Sequence, residues 1–471
     1  MGQRPISGFP PGARSEVAIQ ANGQEDLFAV NEQGVLHVAW TPLSHNTFRG
    51  MVPISGPVFP PGAPIAAAKQ AQDLLTVALV DDEGFLNLTW VVGTGAWQGP
   101  IRHGGPVFPP GAPIAMIKQT DDVMTAVLVD NEGFLNLAWV VGTGAWQGPI
   151  RHGGPVFPPG ASIALAKQAD DLLTAVAVDR EGHLNLAWVV GTGAWQGPIR
   201  HGGPVFPPGA PVAMTKQTGD ILTAVVVDRE GHLNLAWVVG TGAWQGPIRH
   251  GGPVFPPGAS IALAKQADDL LTAVAVDREG HLNLAWVVGT GAWQGPIRHG
   301  GPVFPPGAPL SLVRAFLDGA TLSAFAFTRA GVLSRAWVQG TGAWEGPEDT
   351  WYQELPPAPV RRPVDSQVGT GTDAVVRPRI DVAYSHDGPT FAVSGKDFLP
   401  GRVVHVRVVN NASLATVFFD TTADDSGAID FPITFAIDFP QTFSFSANDE
   451  RRDEHDLTGT LWSNTVTITA T

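Results

Sequence analysis

Cysteine is absent from the 471-residue sequence, which excludes disulfide bridges, thiol nucleophiles and thiolate metal sites. Charged residues make up only 15% of the chain, and 28 lysines and arginines face 43 aspartates and glutamates. The net charge of −15 leaves no basic surface suited to nucleic acid or to an anionic membrane. No apolar run approaches the ~18 residues of a membrane-spanning helix, so membrane insertion is not expected.

The N-terminal residues 1–12 carry one arginine and no apolar stretch, so they lack the features of a secretory signal peptide. We expect synthesis in the cytoplasm, and release from the cell is the route by which the protein would act outside it. No metal-ligand set or cofactor motif stands out, so we predict no cofactor and no metal. The oligomeric state, including a homo-oligomer, stays open.

Glycine and proline are abundant, with 56 and 42 residues respectively, and both disfavour helices. Hydrophobic residues make up 44% of the chain, which is enough for a folded core. Tryptophan is also frequent, with 15 residues against only 2 tyrosines, and it recurs at regular intervals. The composition therefore favours an all-β protein, and the regular spacing of the tryptophans indicates internal repeats.

A repeat with a fixed period fills most of the chain. The phrase Phe-Pro-Pro-Gly-Ala occurs seven times, with a first step of 50 residues and five steps of 49. In the fourth unit, β-rich stretches at 163–168, 172–179, 183–190 and 195–201 predict four strands, with glycine turns between them. The phrases begin at Phe9, Phe59, Phe108, Phe157, Phe206, Phe255 and Phe304.

Seven four-stranded units of this length predict a seven-bladed β-propeller over residues 1–353. A solenoid is the alternative, but it needs polar capping repeats, and the outer units are no more polar than the rest. Residues 4–8 nearly repeat residues 52–56 from the end of the first unit. This match predicts that the N-terminus pairs with the seventh unit and closes a ring.

Two further regions follow the repeats. Residues 354–378 are rich in proline and predict an extended linker. Residues 379–471 contain short alternating segments and no helical period, which predicts an immunoglobulin-like β-sandwich. The segment from Gly395 to Gly401, with the later Asp424-Asp425-Ser426-Gly427, resembles bacterial immunoglobulin-like and IPT-type domains.

One tryptophan lies on the third strand of every unit, and we expect it to fill the wedge between neighbouring blades. A second tryptophan follows the phrase Gly-Thr-Gly-Ala in units two to seven, where a flexible turn should leave it partly exposed. The first unit has Phe48 at this position. The third-strand residues are Trp40, Trp90, Trp139, Trp188, Trp237, Trp286 and Trp337, and the second set is Trp97, Trp146, Trp195, Trp244, Trp293 and Trp344.

An exposed tryptophan beside hydrogen-bond donors is a suitable platform for the apolar face of a sugar. Glutamine and arginine follow it in units two to six, and arginine offers fixed donors for neighbouring hydroxyls. Packing at the blade edge with a solvated arginine is the alternative interpretation. The candidate carbohydrate-binding residues are Trp97, Gln98 and Arg102; Trp146, Gln147 and Arg151; Trp195, Gln196 and Arg200; Trp244, Gln245 and Arg249; and Trp293, Gln294 and Arg298.

Two sets of polar residues accompany this motif. A histidine follows each arginine, and we expect it to be solvated or to contact a glycan. We expect an asparagine on the third strand to occupy a half-buried polar position between blades. Its role there is either structural or in contact with the ligand. The histidines are His103, His152, His201, His250 and His299, and the asparagines are Asn87, Asn136, Asn185, Asn234 and Asn283.

The repeat length, the Gly-x-Leu-x-x-x-Trp third strand and the Gly-x-Gly-x-Trp-x-Gly-Pro fourth strand resemble the seven-bladed PLL-type lectins of Photorhabdus. More distantly they resemble the six-bladed fungal fucose lectins. The resemblance covers residues 1–353 and implies a calcium-independent, multivalent lectin. It implies glycan or glycoconjugate partners, with fucose-like or O-methylated sugars bound in clefts between blades.

Two other functions compete with the lectin. An enzyme needs one asymmetric site with a matched acid and base, and near-identical repeats supply none. Asp179 and Glu181 recur, but as turn residues that we expect to be solvated. A protein-binding scaffold or adhesion module explains the repeats without exposed tryptophan. The lectin interpretation predicts up to five good sites, because the seventh unit lacks the arginine and the first lacks the tryptophan.

Overall fold

The computed structural model describes residues 3–20, 23–41, 47–71, 73–93, 95, 97–314, 320–353, 378–385, 390–410, 416–434, 441–449, 451, 463–464 and 466–470. Every regular element in these residues is a β-strand, which confirms the all-β prediction. Accordingly, no helix in this part of the chain is long and apolar enough to cross a membrane. The predicted linker lies outside the described residues except for Pro378.

The chain divides into two compact units. A repeat unit comprises Met1–Ile19, Gln24–Trp90 and Gln98–Leu355, and a C-terminal unit contains Pro356–Thr471. In the repeat unit, repeats two to seven each form one four-stranded sheet in chain order. The first repeat contributes to a six-stranded sheet with the order β1-β30-β5-β4-β3-β2.

The strands of the repeat unit have the following bounds. The six-stranded sheet contains β1 (Gln3–Pro5), β2 (Ser15–Ile19), β3 (Glu25–Val30), β4 (Val35–Thr41), β5 (Thr47–Pro57) and β30 (Trp351–Gln353). The second to fourth repeats form β6 (Ala66–Ala71), β7 (Leu74–Val80), β8 (Leu86–Val92), β9 (Gln98–His103), β10 (Ile114–Lys118), β11 (Val123–Val129), β12 (Leu135–Val141), β13 (Gln147–His152), β14 (Ile163–Ala169), β15 (Leu172–Val178), β16 (Leu184–Val190) and β17 (Gln196–His201). The remaining repeats form β18 (Val212–Lys216), β19 (Ile221–Val227), β20 (Leu233–Val239), β21 (Gln245–His250), β22 (Ile261–Ala267), β23 (Leu270–Val276), β24 (Leu282–Val288), β25 (Gln294–His299), β26 (Ser311–Arg314), β27 (Thr321–Phe327), β28 (Leu333–Gln339) and β29 (Glu345–Asp349).

Successive sheets of the repeat unit share apolar cores. Between the third and fourth repeats, Leu135 and Leu137 of β12 pack with Ala175 and Ala187 of the fourth repeat. Large side chains on one sheet thus meet small ones on the next, which lets the two faces interdigitate. Phe157, from the Phe-Pro-Pro-Gly-Ala phrase, is 1% exposed in this core, and its burial is worth ~2–3 kcal/mol.

The first strands of consecutive repeats lie side by side, and β2 of the first repeat lies beside β26 of the seventh. Ser15 on β2 shares a hydrogen bond of 3.1 Å with Ser311 on β26. The N-terminal segment also reaches the seventh repeat, because Ile6 donates its N–H to Thr350 and accepts the N–H of Leu333. The predicted pairing of the N-terminus with the seventh repeat is therefore confirmed.

The C-terminal unit has two sheets, of orders β31-β32-β35 and β34-β33-β36-β37. Both contribute to one buried cluster, in which Phe391 and Phe445 are fully buried. The strands are β31 (Arg379–Ser385), β32 (Thr390–Lys396), β33 (Val403–Asn410), β34 (Thr416–Thr422), β35 (Ile429–Thr434), β36 (Gln441–Asn448) and β37 (Val466–Ala470).

Candidate functional site

In the third to seventh repeats, the second tryptophan lies at the junction with the preceding repeat. Trp195 is half-buried and packs against the core shared by the third and fourth repeats. Its ring centroid is 6.4 Å from that of His152, at the end of the third repeat's outer strand. Four such pairs have centroid separations of 6.3–6.4 Å: His152–Trp195, His201–Trp244, His250–Trp293 and His299–Trp344.

The turn before this tryptophan is held in place by hydrogen bonds. Gly191 donates its N–H to the carbonyl of Asp171 over 2.6 Å. The Gly191 carbonyl accepts the Nε2–H of Gln119, which belongs to the preceding repeat, over 2.7 Å. The turn is thus hydrogen-bonded at Gly191, and Trp195, directly before its strand, is half-buried, as expected for a partly exposed tryptophan.

The third-strand tryptophan does not occupy the junction core. Trp188 is half-buried on β16, opposite Thr174. Among the described residues, the cluster between the third and fourth repeats includes Trp195, whereas neither Trp139 nor Trp188 belongs to it. The wedge position that we expected for the third-strand residue is thus taken by the second tryptophan, which directly precedes the outer strand.

A tight glycine–proline contact closes each junction beside the aromatic pair. A Cβ on Gly153 would lie 2.2 Å from Cδ of Pro198, and Gly153 has φ of +71°. Only glycine tolerates both the contact and the positive φ. The end of one outer strand therefore abuts the start of the next.

The predicted glutamine and arginine lie at opposite ends of the outer strand. Gln196 pairs in register with Trp188, and Arg200 pairs with Asn185. The Gln196 side chain is exposed and donates to the carbonyl of Ala194 over 3.3 Å. The ring partner of Trp195 is the imidazole of the preceding repeat, while Arg200 is held within its own repeat.

Arg200 is bound by two carboxylates. Its Nε donates to Oδ2 of Asp179 over 2.8 Å, and its Nη2 donates to Oε2 of Glu181 over 2.5 Å. The same arrangement holds Arg102, Arg151, Arg249 and Arg298. The Arg200 guanidinium is therefore half-exposed to solvent and is also paired with two carboxylates.

Asp179 organises the turn beneath this arginine. It is 0% exposed, and its Oδ1 accepts the N–H groups of Glu181, Gly182 and His183 over 2.9–3.0 Å. Burial alone would raise the pKa of Asp179, but the His183 N–H, the Asn185 amide and the Arg200 charge together hold it below its usual value. The expectation that Asp179 is solvated is wrong. Asn185 is likewise buried and donates to Oδ2 of Asp179 over 2.9 Å.

The residue after the turn glycine divides the repeats into two classes. In the second and third repeats it is Phe85 and Phe134, each beneath an arginine guanidinium at 4.5 and 4.6 Å. In the fourth to sixth repeats it is His183, His232 and His281, whose Nδ1 lies 3.4–3.5 Å from the turn aspartate. This difference between phenylalanine and histidine is visible in the sequence, but the predicted site residues do not include it.

Asp179, Glu181 and His183 bring three potential metal ligands within 4.8 Å of one another. Both aspartate oxygens already accept hydrogen bonds, and Glu181 is paired with Arg200. A cation there would have to displace these donors. The cluster is therefore better suited to holding the turn than to coordinating a metal.

The junction histidines contain a buried polar atom that needs a partner. Nε2 of His103, His152, His201, His250 and His299 is buried and has no hydrogen-bond partner among the described residues. The first alternative for these histidines, a solvated side chain, is therefore wrong for this atom. A contact with a glycan stays a prediction.

The repeat unit is similar in sequence and structure to a solved lectin. The BP39L lectin of Burkholderia pseudomallei is 36% identical, with a TM-score of 0.69, over 72% of this chain and 99% of that chain. The fucose-specific lectin of Aleuria aurantia is 14% identical over 60% of this chain and 94% of that chain, with a TM-score of 0.43. AofleA of Arthrobotrys oligospora is 14% identical over 60% of this chain and 84% of that chain, with a TM-score of 0.44. No protein-family model and no curated protein matches the chain.

Proposed function

Because this chain belongs to the β-propeller lectin family that includes BP39L, we propose that it is a multivalent carbohydrate-binding lectin. Its sites lie at the junctions between adjacent repeats, where the second tryptophan is half-buried. The observation that carries this proposal is the recurrence of one aromatic junction, with centroid separations of 6.3–6.4 Å in four copies. A repeated site suits a lectin, because each copy presents the same surface to a dense glycan.

The proposed architecture is a ring of seven blades followed by a C-terminal β-sandwich. The side-by-side first strands and the bond between Ser15 and Ser311 support a closed ring. The single core shared by the two C-terminal sheets supports a sandwich. In this architecture the sandwich is an immunoglobulin-like accessory domain, joined by the linker at 354–378. Release from the cell would bring the ring to extracellular glycans.

The proposed ligand is a fucose-like or O-methylated sugar. Such sugars carry a methyl group that ordinary hexoses lack at the same position. The outer strands of the second to sixth repeats each present an exposed isoleucine, and Ile150 and Ile199 are both 51% exposed. An apolar isoleucine beside an indole favours a sugar with an added methyl over a fully hydroxylated one.

A glycan array with the labelled full chain tests this proposal. Four tryptophans, Trp146, Trp195, Trp244 and Trp293, are replaced by phenylalanine, which the first repeat itself carries as Phe48. We expect the wild-type protein to bind fucosylated or methylated glycans and the variant to bind at least tenfold more weakly, with an unchanged circular dichroism spectrum. Full binding by the folded variant would contradict a role for these indoles.

A protein-binding scaffold is the second candidate. It is favoured by the regular apolar surface of the repeats, where Val190 is 61% and Ile199 51% exposed. Absence of binding across the array at high protein density would support the scaffold over the lectin.

A further inference from the structure

The first strands of the seven repeats meet around one axis in the proposed ring. Adjacent first strands approach within 8 Å between Cα atoms, and β2 lies beside both β6 and β26. Each first strand is the inner edge of its sheet, so its side chains surround the axis. The seven strands are, in order around the ring, β2, β6, β10, β14, β18, β22 and β26.

Five of the six lysines in the whole chain occupy one position on these strands. This position is the tenth residue after the phenylalanine of each Phe-Pro-Pro-Gly-Ala phrase. The seventh repeat has an arginine there, and the first repeat has Ile19. The six cations are all half-buried, and they are Lys69, Lys118, Lys167, Lys216, Lys265 and Arg314.

We propose that these six side chains form a cationic collar that binds one small oxyanion, of the phosphate or sulfate type, at the axis. The proposal depends on the closed ring, but it does not depend on sugar binding. It assigns a ligand to residues that the proposed sugar sites do not use.

The direction of the collar side chains follows from their neighbours on the strand. Leu165 packs against the core shared by the third and fourth repeats. Lys167 lies two residues later on β14, so it projects from the same face, toward the third repeat. The seventh repeat shows the same direction, because Nη1 of Arg314 lies 4.0 Å from Oδ1 of Asp268 in the sixth repeat. Each cation therefore lies between its own first strand and the preceding one.

The contacts of the described residues explain the glutamine after each lysine, but they do not explain the lysine itself. Gln168 is buried, and its amide donates to the Gly240 carbonyl and accepts from Thr174, both over 2.8 Å. Within the described part of the chain, the five lysines form no ion pair and no side-chain hydrogen bond. Burial lowers the pKa of Lys69, against the raising effect of the Asp73 charge. An anion stabilises a half-buried ammonium group of this kind.

Exposed aspartates in the turns after the first strands determine which kind of anion fits. They would repel a long polyanion that lies across this end of the ring. A compact ion at the axis is instead surrounded by the half-buried cations, and the flexible four-carbon stem of lysine lets several ammonium groups share it. The aspartates are Asp73, Asp121, Asp122, Asp170, Asp171, Asp220, Asp268 and Asp269.

Titration calorimetry of the full chain with inorganic phosphate, in a phosphate-free buffer at constant ionic strength, tests the collar. Lys118, Lys167 and Lys216 are changed together to isoleucine, which the first repeat carries as Ile19. In a second protein they are changed to arginine, which the seventh repeat carries as Arg314. We expect one phosphate per wild-type chain, at least tenfold weaker binding by the isoleucine variant, and binding within threefold of wild type by the arginine variant.

The control variant is Lys396→Ile, which removes the one lysine outside the collar and should leave phosphate binding unchanged. Circular dichroism verifies that each variant is folded, and the single variant Lys167→Ile, with at least twofold weaker binding, replaces the triple variant if that protein does not fold. Wild-type protein that gives no saturating phosphate isotherm would overturn the proposal. Equal affinity of the folded isoleucine variant and wild type would overturn it as well.

Parallel titrations with inorganic sulfate and with glucose 6-phosphate identify the source of the oxyanion. Tighter binding of the sugar phosphate than of inorganic phosphate, lost in the isoleucine variant, would support an oxyanion carried on a larger ligand. Equal binding of the two, lost in the same variant, would support a free ion. Methyl α-L-fucoside binding should be the same in all these variants, so failure of the collar and failure of the lectin are separate results.

Discussion

At the scale of single residues, the first repeat differs from the others at one buried position. Asp26 is 1% exposed, and threonine or serine occupies its place in every other repeat. Thr76 shows the usual arrangement, in which the hydroxyl donates to Oε1 of Gln70 over 2.8 Å. An ionised carboxylate has no proton to donate, and Oδ2 of Asp26 has no hydrogen-bond partner among the described residues.

This difference predicts a pH-dependent stability. Burial raises the pKa of Asp26 to about 7, against the lowering effect of a hydrogen bond from Gln24. The folded protein therefore keeps a proton that the unfolded chain loses near pH 4, so this residue's contribution to stability falls as pH rises from about 4 to 7. The substitution Asp26→Thr removes the carboxyl. The increase in unfolding free energy that it produces should be about 2 kcal/mol larger at pH 8 than at pH 5.

Urea unfolding followed by tryptophan fluorescence at the two pH values measures this gain. Burial also raises the pKa of Glu16, to about 8, so part of the pH dependence should persist in the variant. The reciprocal change Thr76→Asp should introduce a similar dependence into the second repeat. An equal gain from Asp26→Thr at both pH values would contradict the assignment.

The burial of Asp179 shows which contacts can be predicted from the sequence and which cannot. An aspartate in a turn is usually solvated, yet Asp179 is buried because three backbone N–H groups and two side chains satisfy it. The backbone part of this arrangement is predictable, because an aspartate commonly accepts N–H groups from the turn residues that directly follow it. The distant Arg200, by contrast, reaches Asp179 only through the pairing of the outer strand, which local sequence does not specify.

At the scale of the element, the turn between the second and third strands depends on one glycine. A Cβ on Gly182 would lie 2.2 Å from the carbonyl oxygen of Phe206, and φ is +96°. Gly191, in the next turn, also has a positive φ of +55°, but its Cβ would meet no atom within 4 Å. Alanine at either position would be strained by the positive φ, but only at Gly182 would its Cβ also clash with the backbone.

Gly182→Ala should therefore destabilise the protein more than Gly191→Ala. We expect the free energy of unfolding to fall by about 3 kcal/mol in Gly182→Ala and by about 1 kcal/mol in Gly191→Ala. Both variants place alanine at a left-handed φ, but only at Gly182 must the neighbouring backbone shift to make room for the Cβ. Parallel urea unfolding curves of the two variants check the difference. Equal losses would mean that φ alone accounts for the conserved turn within the repeats.

Strand positions were predictable because short runs rich in apolar and β-branched residues lie between glycine turns. The predicted strand at 172–179 is observed as Leu172–Val178, and that at 183–190 as Leu184–Val190. The partner of Trp195 was not predictable in this way. The contact of Trp195 with His152 depends on how one sheet packs on the next.

At the scale of the whole molecule, two copies of one phrase test the closure of the repeat unit. Pro5-Ile6-Ser7-Gly8 and Pro53-Ile54-Ser55-Gly56 are identical in sequence. Ile6 is 0% exposed and belongs to the core that the first and seventh repeats share, whereas Ile54 is only partly buried.

Ile6→Ala should cost about 2–4 kcal/mol of unfolding free energy, as for a fully buried aliphatic side chain. Ile54→Ala should cost less than about 1.5 kcal/mol, because its side chain is already in contact with water. Thermal and urea unfolding of the two variants makes the comparison. A similar cost at both positions would argue against Ile6 as a contact that joins the ends of the repeat unit.

In the proposed lectin, multivalency is a property of the repeat unit as a whole. A single sugar site binds weakly, but several sites on one rigid body raise avidity for a dense glycan surface by ~10²–10⁴. A variant that keeps only Trp244, with phenylalanine at the second tryptophan of every other repeat, should bind free fucoside with unchanged affinity at its remaining site. On a densely fucosylated surface, its dissociation rate should rise by at least about a hundredfold. Surface plasmon resonance at high and low ligand density measures both quantities, and the low-density surface is the control. Equal dissociation of this variant and wild type from the dense surface would mean that the junctions act one at a time.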